Sequence, residues 1–368
     1  MDFAWTDDQA ALRALAREIL TERATNDHLK ALEAQATEAG SYSVFDRALW
    51  AQLAEAGLTG LTIAEAHGGA GLGFLELSVL LDEVGRAVAP VPAVATLVTA
   101  YVLERSAPET VAALLPGVVS GETILTTAFG DQVGVTARPD GSGWVLDGDK
   151  GFVPYGAEAD VIVVPAETAD GRAVVALIRG TATGITTIAL QTTNREPQAA
   201  ISFDGVRVEA ADVIADAEDV VADLRRHHTA ALATVVAGVC DAALEMTAKH
   251  TATREQFGKP IASFQAVGQR AADSYIDAEM IRLTALQAVW RLSAGWPCDE
   301  EVAVAKFWAG DGGMRVVHAC QHLHGGLGVD LDYPVHRYFL WCKQIEHELG
   351  TPTRQLLELG ALIAATPV

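Results

Sequence analysis

The residues best suited to chemistry lie in one run, Arg254-Glu255-Gln256-Phe257-Gly258-Lys259-Pro260-Ile261-Ala262-Ser263-Phe264-Gln265. A guanidinium at Arg254 can fork onto a pyrophosphate, and the Phe257 ring can pack on an adenine or ribose face. The plainer reading is an interhelix loop with a surface arginine. A second run is His322-Leu323-His324-Gly325-Gly326-Leu327-Gly328. Successive glycines let a backbone approach a ligand closely. His318, His322 and His324 suggest a metal, since 318 and 322 share a helix face, but only if a carboxylate joined them. A helix end followed by a glycine turn explains the run without a metal, and none is expected. A third run, Glu65 to Gly73, is glycine-rich but lacks the Gly-Lys-Ser/Thr ending of a phosphate loop, and no strand leads cleanly into it. It reads as a helix-to-helix turn.

Three kinds of segment must position these residues. Up to about residue 115 the pattern is helical. Thr6 is placed to cap a helix over 7–23, with Ala11, Leu12, Leu15, Ile19 and Leu20 at helical spacing. Further helices are expected over about 45–55, over 74–87 before Pro90 and Pro92, and in two stretches within 94–115. From about 120 to 212 the period shortens. Asp140-Gly141 separates Val133–Val135 from Trp144–Leu146, and Asp204-Gly205 separates Ile201–Phe203 from Val206–Val208, both in a hairpin pattern. Apolar runs at 161–164 and 173–178 complete a small β-barrel or sandwich. Long helices are then expected over 218–251 and 263–293, the second burying Phe264, Val267, Ala271, Ile276, Met280 and Leu283 as one stripe. Others fit about 299–322 and 333–347, with a short helix after Pro352.

The chain has 368 residues, half of them apolar and 20% charged, enough for two or three domains with a large core. A net charge of -22 argues against nucleic acid and anionic membranes as partners. Anionic ligands would need local Arg, Lys or helix N-termini. The acidic start, Met1 to Asp8, lacks the basic and apolar regions of a secretory signal, and no membrane-spanning helix is expected, so a cytoplasmic location is the default. Cys240, Cys298, Cys320 and Cys342 lack metal or redox spacing and read as free thiols.

Together these runs resemble the acyl-CoA dehydrogenase family over essentially the whole chain. Arg254 to Gln265 is similar to the family's Arg-x-x-Phe-Gly-x-Pro-Ile-x-x-Phe-Gln. His324 to Gly328, followed by Tyr333-Pro334-Val335-His336-Arg337, is similar to its C-terminal signature. Glu65 to Gly71 resembles its Pro-Glu-x-x-Gly-Gly-x-Gly, with Ala64 in place of Pro. The resemblance implies a multi-domain α+β fold: an N-terminal α-helical domain over 1–118, a middle β-barrel over 119–213 and a C-terminal four-helix bundle over 214–368. It implies FAD as cofactor, with Arg254, Gln256, Phe257, Gln265, His322, Gly325 and Gly326 reaching the flavin's ADP half across a subunit interface. His322 stands where a Gln often contacts adenine.

The departures from the family pattern carry as much information. In the family a Glu removes the α-proton of the thioester while a hydride leaves the β-carbon for the flavin, a step that needs a carboxylate near the α-carbon. Gapless alignment puts Leu349 at one family position for that Glu and His228 at the other. Glu346 and Glu348 are near the first, but one helical residue is a rotation of roughly 100°. Phe152-Val153-Pro154 replaces a flavin-contacting Trp-Ile-Thr, and proline offers neither amide proton nor hydroxyl. Thr126-Thr127-Ala128-Phe129-Gly130 replaces a Thr-Glu-Pro loop. This combination resembles the non-catalytic subunit of actinobacterial heterotetrameric acyl-CoA dehydrogenases that act on steroid side chains. The implied partner is a homologous catalytic subunit in an α2β2 assembly. The implied substrate is a steroid side-chain acyl-CoA, with electron-transfer flavoprotein as a candidate acceptor. Two alternatives stay open: a self-sufficient homotetrameric dehydrogenase using Glu346, Glu348 or an out-of-register Glu, and a scaffold protein without flavin contact.

Overall fold

The structure is a computed structural model that describes residues 5–129 and 134–365. Of the segments considered above, Met1 to Ala4, Gly130 and Val133 lie outside the described residues. Helix α1 (Asp7–Arg23) begins in a capping box: Thr6 Oγ1 accepts the Gln9 amide at 3.2 Å, and Gln9 Oε1 accepts the Thr6 amide at 3.0 Å. Next come α2 (Asn26–Glu38), α3 (Arg47–Glu55, capped by Asp46), α4 (Phe74–Ala87), a π-helical turn over Ala93–Val98, α5 (Thr99–Ser106), α6 (Pro108–Val111) and α7 (Leu115–Val119). The sequence pattern does not announce α2, because Leu29 is its only buried residue.

Eight strands follow: β1 (Leu125–Thr127), β2 (Val135–Asp140), β3 (Gly143–Pro154), β4 (Val161–Glu167), β5 (Ala173–Arg179), β6 (Ile185–Leu190), β7 (Gln198–Glu209) and β8 (Val213–Ile214). They form one mixed sheet in the order β6-β7-β3-β2-β4-β5-β8, with β1 parallel to β4. The path runs from β6 to β8 with β1 branching off β4, and this mixed sheet is the middle β-domain expected from sequence. Asp140-Gly141 is a hairpin turn as expected, with Gly141 at φ +63°. Asp204-Gly205 is not. β7 runs straight through it, and the two residues form a bulge where the register steps from Leu146↔Val206 to Gly148↔Phe203. Gly205 takes φ +61° and donates its amide to Asp147 Oδ1 at 2.7 Å. The bulge has a packing cause. Ile201 and Phe203 are odd-numbered, Val206 and Val208 even-numbered, yet all four enter one core. Only an inserted residue lets a period-two strand do that.

The C-terminal part contains α8 (Glu218–Thr253), the short strands β9 (Glu255–Gln256) and β10 (Lys259–Pro260), α9 (Gln265–Ser293), α10 (Asp299–Phe307), a π-helical turn over Trp308–Gly312, α11 (Gly313–His324), a 3-10 turn over Gly325–Val329, α12 (Val335–His347) and α13 (Pro352–Ala365). By length and composition α8 could cross a membrane, but 72% of its apolar window is buried within the protein, as in a core helix. The stripe expected on α9 is rotated. Ser274, Ala278, Ile281 and Ala285 are buried, whereas Ile276 is 59% exposed and Leu283 is at the surface. The first half of α9 buries the small residues Ser274 and Ala278, which let helices approach closely. Tyr275 and Ile276 are left on the outer face, while Ile281, Leu286 and Val289 are buried further along.

By packing, the elements gather into two compact units, each drawn from separate stretches of chain. One holds Met1–Ala31, Ser78–Ala89 and Thr229–Val368; the other holds Leu32–Leu77 and Pro90–His228. In the first unit, α4 and α8 cross at backbone contact. A Cβ on Gly238 would lie 2.0 Å from the Asp82 carbonyl oxygen, and one on Gly85 would lie 2.1 Å from that of Val235. The crossing is flanked by Glu83, 2% exposed, which accepts from Arg13 at 2.8 Å and from Arg17 at 2.7 Å.

Candidate functional site

In the bundle unit, α8 ends one residue before a two-stranded hairpin. The Arg254 amide closes the last turn on the His250 carbonyl at 2.8 Å, and the Arg254 carbonyl accepts from Ile261 at 2.8 Å. β9 and β10 pair Lys259 with Gln256 and Pro260 with Glu255. Phe257 and Gly258 are therefore the two central turn residues, and both have positive φ, +55° and +74°. A two-residue hairpin demands this conformation; glycine adopts it freely and phenylalanine only at a cost of order 1 kcal/mol or more. The result is a Phe257 ring that is 90% exposed and set edge-on to Phe264, whose face also carries Lys259 Nζ at 4.4 Å. The Arg254 guanidinium is exposed and has no partner among the described residues.

Gln256 spends its amide within the hairpin, donating to the Glu255 carbonyl at 2.8 Å. Gln265 opens α9 and is exposed, as is His322 on α11. Gly325, at φ +60°, and Gly326 follow α11, and a Cβ on either would meet nothing within 4 Å. The turn is fixed from behind, because a Cβ on Gly328 would lie 2.3 Å from the Gln321 carbonyl oxygen. A ring contact joins the Arg254 segment to this turn: His250 and His324 stack with centroids 4.4 Å apart. No residue pattern singled out His250. His324 stands out in the sequence as a metal candidate and as the first residue of the glycine run, not as a ring partner. The unpaired guanidinium, the bare aromatic ring and the two glycines without side chains present one anion-binding group, one stacking face and one close backbone approach. These fit the ADP half of a flavin dinucleotide. Among the described residues no three His, Cys, Asp or Glu side chains cluster as a metal site.

In the sheet unit, the positions expected to touch a flavin ring look different. Phe152 is 69% exposed at φ +53°, Val153 is buried, and the Pro154 carbonyl accepts from the Thr126 hydroxyl at 2.5 Å. Phe129 packs edge-on against His228 with centroids 5.0 Å apart, and its carbonyl accepts from Lys150 Nζ at 3.0 Å. His228 itself is 5% exposed. Its Nδ1 lies 2.8 Å from the Leu224 carbonyl and so carries the proton, which leaves Nε2 to accept from Thr99 Oγ1 at 3.3 Å. Thr99 Oγ1 also bonds Thr127 at 2.8 Å. Back in the bundle unit, Leu349 is half-buried in the turn after α12, at φ +52°. Glu346 is bridged to Lys343 at 2.8 Å, and Glu348 accepts from Gln344 at 3.0 Å. Lys306, a residue the sequence did not flag, is fully buried and caps the end of α12 by donating to the Ile345 carbonyl at 2.7 Å.

Residues 6–122 match the family model of the acyl-CoA dehydrogenase N-terminal domain, and residues 223–362 match that of the C-terminal domain. Acyl-CoA dehydrogenase FadE27 of Mycobacterium tuberculosis is 39% identical over 380 aligned positions, covering all of both chains. The chain belongs to the acyl-CoA dehydrogenase family. Among solved members, a chain of the ChsE4-ChsE5 complex from Mycobacterium tuberculosis superposes with a TM-score of 0.93 at 40% identity, with all of both chains covered. A Tcur3481-Tcur3483 steroid ACAD variant gives 0.90 at 42% identity, covering 97% of this chain and 98% of that one. Acyl-CoA dehydrogenases are oxidoreductases, and homologues in this family bind FAD.

His228 is a titratable residue sealed almost completely from solvent. Burial pushes its imidazole down to about 4, with its neighbour His227 adding to the effect. An unfolded histidine takes up a proton near 6.5. Between these values the unfolded chain binds a proton that the folded chain refuses, so stability is full above about pH 6.5 and declines as pH falls toward 4. At pH 5 this one group costs on the order of 2 kcal/mol relative to pH 7. His228→Gln keeps a polar group near Thr99 and removes the titration. Urea unfolding at pH 5 and pH 7 should show a smaller stability difference for the variant than for the wild type. Equal differences would mean that His228 is not held neutral.

Proposed function

We propose that this chain is the partner subunit of a heterotetrameric acyl-CoA dehydrogenase. It lends Arg254, Phe257 and the Gly325–Gly326 turn to the ADP half of FAD held mainly by a homologous catalytic chain. The observation that carries this reading is the pairing of an unpartnered Arg254 with a Phe257 ring 90% exposed on a strained turn. A single chain gains nothing from that arrangement, whereas a ligand shared with a neighbour does. Gln256, Gln265 and His322 border the same site. In this reading FAD, when bound, accepts the hydride from the β-carbon of the thioester, and the α-proton goes to a carboxylate on the catalytic chain. Leu349 and His228 stand where this chain would need that carboxylate. The steroid ACAD and the two-component ChsE4-ChsE5 complex support a steroid side-chain CoA thioester as substrate and a homologous chain as partner. The exposed Tyr275 and Ile276 on α9 add an apolar face for such a partner to cover.

Expression decides the matter. Purified alone, the chain should be colourless and inactive; produced with a homologous chain carrying the Glu, it should yield a flavin-bearing α2β2 assembly. That assembly should turn over steroid side-chain thioesters with a higher kcat/KM than straight-chain acyl-CoAs. A yellow, active homotetramer of the lone chain would sink the reading. Within the assembly, Glu346→Gln and Glu348→Gln should each leave kcat within about twofold of wild type, because neither serves as base. A collapse of turnover in either variant would restore the self-sufficient enzyme.

A further inference from the structure

We propose that His250, His324 and Tyr333 form an aromatic clamp that sets the Arg254 guanidinium in register with the Gly325–Gly326 turn, acting as positioning residues for the ADP half of the flavin. The proposal rests on the reading of Arg254 and the glycine turn as that half-site. Arg254 and Gly325 are some 70 residues apart in sequence, on the ends of different helices, and a dinucleotide must meet both at once. Both ends are tied to the same three rings. His250 lies one helical turn before Arg254 and is joined to it by the backbone hydrogen bond at 2.8 Å. His324 immediately precedes Gly325. The two imidazoles lie 24° from parallel at 4.4 Å, and Tyr333 closes the group at 5.0 Å from His324 and 6.3 Å from His250.

The hydrogen bonds fix how the rings sit. His324 Nδ1 lies 2.7 Å from the Cys320 carbonyl and so carries the proton; Nε2 then accepts from the Tyr333 hydroxyl at 3.3 Å. His324 is therefore locked in one tautomer and one orientation, 4% exposed. His250 has no side-chain hydrogen bond among the described residues, so its ring is held by stacking alone. A role confined to capping α11 would need His324 and Tyr333 only. His250 adds the link to Arg254. Burial lowers the basicity of both histidines, and for His250 the nearby His324 and Arg254 lower it further. The lowered basicity favours the neutral rings and leaves Arg254 as the charge that meets the anion.

The test uses the chain assembled with its homologous catalytic partner, with FAD as the probe. FAD dissociation constants are measured by equilibrium titration, and thermal unfolding of the flavin-free assembly is recorded alongside. His250→Ala should weaken FAD about 2- to 13-fold, the range of a lost aromatic pair, while the unfolding temperature of the flavin-free assembly falls by only a few degrees. His250→Phe, which keeps the stack, should restore affinity to within about twofold. If His250→Ala binds FAD like wild type while Arg254→Ala does not, the clamp is overturned and the half-site stands. Failure of Phe to rescue overturns it as well. If Arg254→Ala also binds like wild type, the half-site reading itself falls. Should His250→Ala fail to assemble, Tyr333→Phe decides: about threefold weaker binding supports the clamp, and unchanged binding overturns it.

Discussion

Arg254→Ala should weaken FAD binding to the assembled complex by about 10- to 150-fold, the largest ligand effect expected from any single residue of this chain. The magnitude follows from the chemistry of the pair. A hydrogen bond to an ionised group contributes roughly 1.5–3 kcal/mol, and each 1.4 kcal/mol is tenfold in affinity. In the chain alone the guanidinium has no carboxylate to return to among the described residues, so its truncation costs the fold nothing. The whole loss should appear in binding. Arg254→Lys should recover only part of it, since an ammonium keeps the charge but cannot make two parallel hydrogen bonds to one pyrophosphate. Raising the salt concentration should weaken wild type more than the Ala variant, because an exposed charge pair is screened. Titration of apo-complex with FAD checks all three. The half-site is wrong if the Ala variant keeps full flavin occupancy at sub-saturating FAD.

Several caps and turns of the fold are legible in the sequence, for local reasons. Thr6 and Gln9 sit three apart and cap each other; Asp140-Gly141 lies between alternating strands; Phe257-Gly258 occupies a turn bounded by Lys259-Pro260. Each signal needs only near neighbours in sequence. What failed depended on distant partners. Asp204-Gly205 has the composition of a hairpin turn, but the core claims both flanking runs and converts it into a bulge. On α9, Ile276 and Leu283 read as core by hydrophobicity, yet the interior of the bundle takes the small residues Ser274, Ala278 and Ala285. A sequence pattern cannot separate a face buried within one chain from a face left for another. His250 escaped notice because its partners, His324 and Tyr333, are brought to it only by the packing of α8 against the end of α11.

Gly238 carries the largest stability effect, and the reason is backbone rather than side chain. At the crossing of α4 and α8 a Cβ on Gly238 would sit 2.0 Å from the Asp82 carbonyl oxygen and 2.9 Å from the Arg86 amide. No rotamer relieves a clash with backbone, so Gly238→Ala must push the helices apart. Separation strains the ion pairs laced across the same crossing, where Arg86 reaches Glu245 at 2.8 Å and Asp241 at 3.4 Å beside the 2%-exposed Glu83. Overpacking alone costs about 1–3 kcal/mol, and the partly exposed Arg86 pairs across the crossing add up to about 1 kcal/mol each. Helix propensity pulls the other way by only about 1 kcal/mol, so the clash wins. Thermal unfolding should fall by roughly 5–15 °C, taking 2–4 °C per kcal/mol for a domain of 150–250 residues. Gly360→Ala in α13 is the matched control, since its Cβ would meet nothing within 4 Å. It should be neutral or stabilising by up to about 1 kcal/mol. Equal behaviour of the two variants would show that the α4–α8 crossing is looser than a backbone contact.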